Sequence, residues 1–331
     1  MDKERSVTQA SAALKDIWTA GRHPSAIVLR TSLLQPPGGG QPTLTRLVLP
    51  KGIALRFYLL AIFEAQCRLG PDEPWENSRP LSGRGSWSDL VAIDGAYESR
   101  SGRYMRNTKA GRELEDLRLR QVQGALKTLE DLGREEALVA MPRGQRGQRL
   151  YEAFTLMKET GRGSLQTPDS YTVPSRHWHA AQTITVPAPF FLNGWVQVLN
   201  PSEVATWLIL RALSEWAPTE HFQSGVYLYG NDRLRNFGLR RDAWEDGCQR
   251  LLEFGLIRIA RPPEAEGPFA EGFAHVARMS RERYEPHRHQ LVEQGFDEDA
   301  MKVCLRELTL RQKRLADAAA RRTQKASEST S

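Results

Sequence analysis

Residues 117–133 read LRLRQVQGALKTLEDLG, and residues 239–255 read LRRDAWEDGCQRLLEFG. Both runs are seventeen residues long, open on Leu-Arg, carry a leucine four positions before the end and finish on glycine. In the first, Val122, Leu126, Leu129 and Leu132 recur at spacings of four and three; Trp244, Cys248, Leu251 and Phe254 do the same in the second. An α-helix turns once every ~3.6 residues, so each set shares one face and forms a stripe against a core. Gly133 and Gly255 then suit the left-handed position that ends a helix.

The surroundings repeat as well. Upstream of the first run, TLTRLVLP reads as a short strand, and Ile53, Leu55, Phe57, Leu59, Leu60, Ile62, Phe63 and Leu69 mark a strongly buried helix closed at Gly70. Ser86 can cap a second helix around Trp87 to Ile93. GAYESRSGRYMRNTKAG reads as an exposed basic insertion near 98–112. After the run, ALVAM and LYEAFTLM read as strands joined by PRGQRGQR, the composition of a hairpin tip. The second half begins with ITVPAPFF and a Gly-Trp turn. Ser202 is then a candidate N-cap for a helix from Glu203 to Glu215. Asn231 to Phe237 makes a short second helix stopped by Gly238, and LIRIA and GFAHVARM follow the third helix as strands. The two runs lie 122 residues apart but the opening helices roughly 150, and the basic insertion accounts for the difference.

At 331 residues the chain is long enough for two cores. The expected division is an N-terminal arm and Pro/Gly linker (1–42), a first domain (43–160), a linker (161–183), a second domain (184–284), and a C-terminal helix with a disordered basic tail (285–331). The net charge of +6 and a pI near 9.3 lean toward polyanionic partners. Cys67, Cys248 and Cys304 form no CxxC pair, which indicates neither a zinc ribbon nor a disulfide framework. The N-terminus lacks a secretory h-region and no apolar run reaches the ~18 residues of a membrane span, so a soluble cytoplasmic protein, nucleoid or plasmid associated, is expected.

Three helices and a two-stranded hairpin, written twice with apolar-x-x-Leu-x-x-x-Gly closing the third helix, resemble the winged helix-turn-helix superfamily; LLEFGLIRIA is the closest match. The resemblance covers roughly residues 43–160 and 184–280. It implies a mainly α fold with small β wings (α+β): two tandem winged-helix domains plus a C-terminal helix. Tandem copies also resemble plasmid replication initiators and some transcription regulators, in architecture alone. The implied function is sequence-specific binding of double-stranded DNA without enzymatic activity, cofactor, metal, membrane or small-molecule substrate. A protein-interaction or dimerisation adaptor is the alternative.

In that family the third helix enters the major groove. Subtracting the core stripe leaves Arg118, Arg120, Gln121, Gln123 and Lys127 as the outward set. Arginine can bond guanine bidentately, glutamine can bond adenine, and lysine can neutralise phosphate. The hairpin tip adds Arg143, Arg146 and Arg149, and the insertion Arg103, Arg106 and Lys109. In the second copy Arg240 and Arg241 open the helix, but Asp242, Glu245 and Asp246 follow, and carboxylates facing phosphate are repulsive. That copy suits packing, dimerisation or a limited contact. An ordinary solvated face has the same composition as each of these sets.

Three further features need testing. Met301, Leu308 and Leu315 are spaced by sevens within a helix expected from about Asp297 to Arg322, which reads either as a homodimer seam or as a helix docked on its own domain. His177-Trp178-His179 has the form of a nickase metal pair, with Tyr171 or Tyr151 as nucleophile, a DNA-nicking alternative. GRGSLQ and GQRGQR lack the phosphate-cradling pattern of nucleotide hydrolases.

Overall fold

The structure, a computed structural model, describes residues 2–48, 53–92, 95–98, 103–106, 112–164, 166–175, 182–260 and 287–328. It mixes helix with small two-stranded sheets, the α+β class. The N-terminal segment is not an arm. Helix α1 (Asp2–Ala20) buries Val7, Ala10 and Leu14, one face at spacings of three and four, and strand β1 (Ala26–Arg30) follows it. Residues 43–48, expected as a strand, form helix α2 (Thr43–Val48), in which Leu44 and Leu47 are both buried. The Pro42 carbonyl starts it by accepting the Arg46 N–H at 3.3 Å and the Thr45 hydroxyl at 2.9 Å. The β-branched composition favours strand, and burial of the i, i+3 pair overrides it.

Helix α3 (Ala54–Arg68) is buried on nearly every side, from Phe57 through Cys67. Its polar residues are tolerated because each is satisfied. Gln66 donates to the Val28 carbonyl at 2.7 Å and accepts the Val28 N–H at 2.9 Å. Glu64 accepts from Trp75 Nε1 at 2.8 Å and from Arg68 at 3.0 Å. Trp87–Leu90 makes a single 3-10 turn rather than a helix reaching Ile93. The basic insertion contains an antiparallel pair, β2 (Gly95–Glu98) and β3 (Arg103–Arg106). Helix α4 (Arg112–Glu130) leads to β4 (Val139–Ala140), which pairs with β5 (Thr155–Leu156). A 3-10 turn at Tyr151–Ala153 shortens the second strand of this hairpin.

Strand β6 (Thr183–Pro187) and two short helices, α5 (Ala188–Leu192) and α6 (Trp195–Val198), introduce helix α7 (Pro201–Trp216). Its N-cap is Asn200, two residues before Ser202: Pro201 fits the first helical position, and the Glu203 carboxylate accepts the Asn200 N–H at 2.8 Å. Helix α8 (Pro218–Ser224) precedes α9 (Gly230–Phe237), which stops at Gly238 with φ 61°. Helix α10 (Arg241–Glu253) is followed by β7 (Ile257–Ile259), paired with β8 (His289–Leu291). Val226 bridges to His289 on β8. The strand expected at 272–279 lies outside the described residues. Helix α11 (Ala300–Glu328) closes the order.

In both halves helices lead into a two-stranded antiparallel pair; the first half has a single 3-10 turn at Trp87–Leu90 and the second has four helices from α7 to α10. The halves do not have separate cores. β1 pairs antiparallel with β6, from Ala26↔Pro187 to Arg30↔Thr183, and so ties the N-terminus to the start of the second half. Phe63 stacks on Phe191 at 4.7 Å. Gln197 donates to the Leu90 carbonyl at 2.8 Å and accepts the Ala92 N–H at 3.0 Å. One continuous apolar cluster runs from Leu14 to Val303. Each fully buried leucine in it contributes roughly 2 kcal/mol, so neither half is expected to keep its stability alone.

Candidate nucleic-acid interface

The stripe of α4 behaves as its spacing requires: Val122, Leu126 and Leu129 are fully buried. The opposite face presents Arg120, Gly124 and Lys127, all exposed, with Gln121 and Gln123 half-exposed beside them. Among the described residues no acid pairs with Arg120 or Lys127. A side chain at Gly124 would meet nothing within 4 Å. A glycine inside a helix costs about 1 kcal/mol relative to alanine, and no intramolecular contact requires this one.

Arg118 departs from the expected outward set. It is 8% exposed, and its Nη2 reaches Ser6 Oγ at 3.2 Å and Gln9 Oε1 at 3.5 Å on α1. Burial lowers its pKa, partly offset by Asp89 and Glu115. The reason is geometric: position 118 lies four residues before Val122, on the core side of the helix, and α1 packs over it. The first turns of α4 also expose Glu115 and Asp116, so among its described side chains the exposed cations fall at 120 and 127.

The hairpin arginines split. Arg143 pairs with Glu130 at 2.9 Å, and Arg149 pairs with Glu130 and with Asp131, the latter at 2.8 Å. The tip contains no acid, but the end of α4 supplies two, and these hold the hairpin against the helix. Arg146 remains exposed at the tip. Arg103 and Arg106 lie on β3, whose side chains are outside the described residues, as is Lys109.

Helix α10 has the same buried stripe in Trp244, Cys248 and Leu251, but a different surface. Arg240 and Arg241 are exposed, Arg241 pairs with Glu245 at 2.7 Å, and Asp242 and Asp246 are exposed as well. Gly247 is buried at the crossing with α7, where a side chain would come within 2.3 Å of Thr206 Oγ1. A groove of about 970 Å³ runs along this face, lined by residues including Tyr229, Arg233, Trp244 and His287. His289 beneath it is 4% exposed, and burial with the neighbouring His287 pushes its pKa down to about 4.

Signs of covalent chemistry are few. Burial pushes the Cys67 and Cys248 thiols up to about 12, which leaves them protonated near neutral pH. Tyr171 is fully buried, with its hydroxyl accepting from Gln66 at 2.9 Å, out of reach of a phosphodiester. His177 and His179 lie outside the described residues. Among the described residues no group of three histidines, cysteines or carboxylates is placed to hold a metal ion, and no helix is long and apolar enough to cross a membrane. No protein-family model, curated protein or solved structure matches the chain.

Proposed function

We propose that the protein is a sequence-specific binder of double-stranded DNA, built on two winged-helix units and acting at a replication origin of the plasmid type or at an operator. The observation that carries this reading is the outward face of α4: two cations, paired with no acid among the described residues, one helical turn either side of an open glycine and flanked by two glutamines. Such a face lets a duplex approach the helix backbone closely. Arg120 and the glutamines then meet base edges while Lys127 meets phosphate. The second unit contributes packing and a limited contact, because Asp242, Glu245 and Asp246 oppose phosphate.

The test is a mobility-shift assay of the intact chain on genomic fragments at rising salt. One fragment retained over competitor DNA near physiological salt is the expected result, and no preference for any fragment overturns the reading. A specific observation favours a second reading, an interaction adaptor: Trp216, Phe222, Tyr229 and Leu234, on or beside α8 and α9, are large, apolar and 41% to 85% exposed. That reading predicts retention of a protein partner that survives nuclease treatment.

A further inference from the structure

Helix α11 is 29 residues long, about 43 Å at ~1.5 Å per residue. Its beginning is anchored. Ala300, Val303 and Cys304 are buried, and the Ala300 N–H donates to the Asn193 carbonyl at 3.0 Å. From Leu305 to Asp317 every described side chain except Glu307 is exposed. The expected docking on its own domain holds for the first turns, and the side chain of Leu315 lies outside the described residues.

The sequence of this helix beyond its anchored turns concentrates the charge of the chain. Residues 306–325 hold seven basic and two acidic side chains, a net of +5 in a chain whose whole net charge is +6. Arg306 pairs with Glu298 at 3.1 Å, but among the described residues no acid pairs with Arg311, Lys313 or Arg314. A helix with little to pack against is marginal in water, and like charges three or four residues apart, as at Arg311 and Arg314, weaken it further. A partner that neutralises those charges would stabilise it.

We propose that α11 beyond residue 305 is a sequence-independent clamp on the phosphate backbone of duplex DNA, supplying affinity while α4 supplies selection. The inference rests on the DNA-binding reading above. It explains how a body whose α4 surface has only a short cationic stripe can hold a polyanion. The apolar content argues against a membrane surface: Leu305, Leu308 and Leu310 precede Arg311, and between 311 and 325 the one large apolar residue is Leu315. Charge argues against a second copy of the same helix, since two segments of +5 repel.

The experiment compares the intact wild-type chain with the triple variant Arg311→Ala, Lys313→Ala, Arg314→Ala. Binding to a scrambled-sequence 20-base-pair duplex is followed across a salt series, with vesicles containing anionic lipid as the second probe. Each lost phosphate contact lowers the slope of log affinity against log salt by about 0.9. The triple variant should therefore lose a slope of about two to three on any duplex sequence, with its melting temperature not lowered, because these side chains are exposed and pair with no acid among the described residues. It should keep the wild-type preference for a selected fragment over the scrambled one. A wild-type slope in the triple variant overturns the clamp, and leaves the α4 reading standing if selection persists. Loss of vesicle binding without loss of duplex binding also overturns it. Failure of the wild type to bind any duplex removes both readings together.

Discussion

Two helical glycines, Gly124 in α4 and Gly247 in α10, fall one position apart when the two seventeen-residue runs are aligned, and the structure uses them in opposite ways. Gly247 faces inward, where α7 comes so close that Thr206 leaves no room for a side chain; Gly124 faces outward with open space above it. Around Gly247 the outer surface is acidic. Around Gly124 it is cationic and amide-bearing. A shared core stripe fixes only one face of a helix. The apolar spacing of three and four dictates which side packs, and leaves the remaining positions free for packing in one copy and for presentation in the other.

The largest effect is expected where packing is tightest. Gly247→Val should destabilise the protein by about 3 kcal/mol, because an added side chain meets Thr206 and the Ser202 carbonyl along the α7 crossing. Urea unfolding measures it, and a midpoint unchanged from wild type would show that the crossing has slack and that the contrast with Gly124 is unfounded. A loss of similar size should appear with pH. The unfolded His289 titrates near 6.5 and the folded one near 4, so the unfolded state takes up the proton first. Stability from this group is therefore complete above about 6.5 and falls as pH drops toward 4, by about 3 kcal/mol in all. His289→Leu should flatten that part of the stability profile. The first hairpin buries Leu156 rather than a histidine, and no equivalent loss is expected from it. An unaltered profile in the variant would place the acid sensitivity elsewhere.

Binding separates the two helices next. Arg120→Ala with Lys127→Ala should weaken binding to a preferred duplex by about 1–3 kcal/mol, tenfold to a hundredfold, at unchanged melting temperature. Arg240→Ala with Arg241→Ala should cost less, since Arg241 is already paired with Glu245 and the surrounding acids repel phosphate. Equal losses in the two double variants would erase the proposed division between reader and packer.

Much of this contrast was legible in the sequence, because the stripes, the acids of α10 and the repeat itself are local patterns. Gly238 and Gly255, both left-handed, follow the reading of their turns, whereas α4 ends at Glu130 and Gly133 takes φ 153° instead. What failed was non-local. Arg118 carries the charge of the outward set although its spacing of four from Val122 puts it on the core side, and the helix that covers it comes from a segment whose polar composition hides a three-residue apolar stripe. Arg143 and Arg149 read as free in the sequence because their acids, Glu130 and Asp131, precede them by 13 to 19 residues and meet them only after the chain turns back. The two expected cores merged because β1 pairs with β6 more than 150 residues away, a pairing that no local pattern encodes. Gly124 was the missed signal in plain view: its spacing of four after Arg120 and three before Lys127 places it in the middle of the presented face.

That glycine gives the smallest effect and the sharpest test. Gly124→Ala adds a methyl group at an exposed helical position with nothing within 4 Å, so the isolated protein should gain up to about 1 kcal/mol from helix propensity alone. If a duplex closes on the helix backbone there, the same methyl must be accommodated against bases or sugar, at about 1 kcal/mol or more, which is about fivefold in Kd. Thermal stability and affinity should then move in opposite directions, a result that a merely structural residue does not give. A variant that melts higher and binds a preferred duplex as tightly as wild type would instead mean that nothing approaches this face. The open glycine would then be a solvated surface position, and α4 would lose its distinction from α10 as the helix that reads DNA.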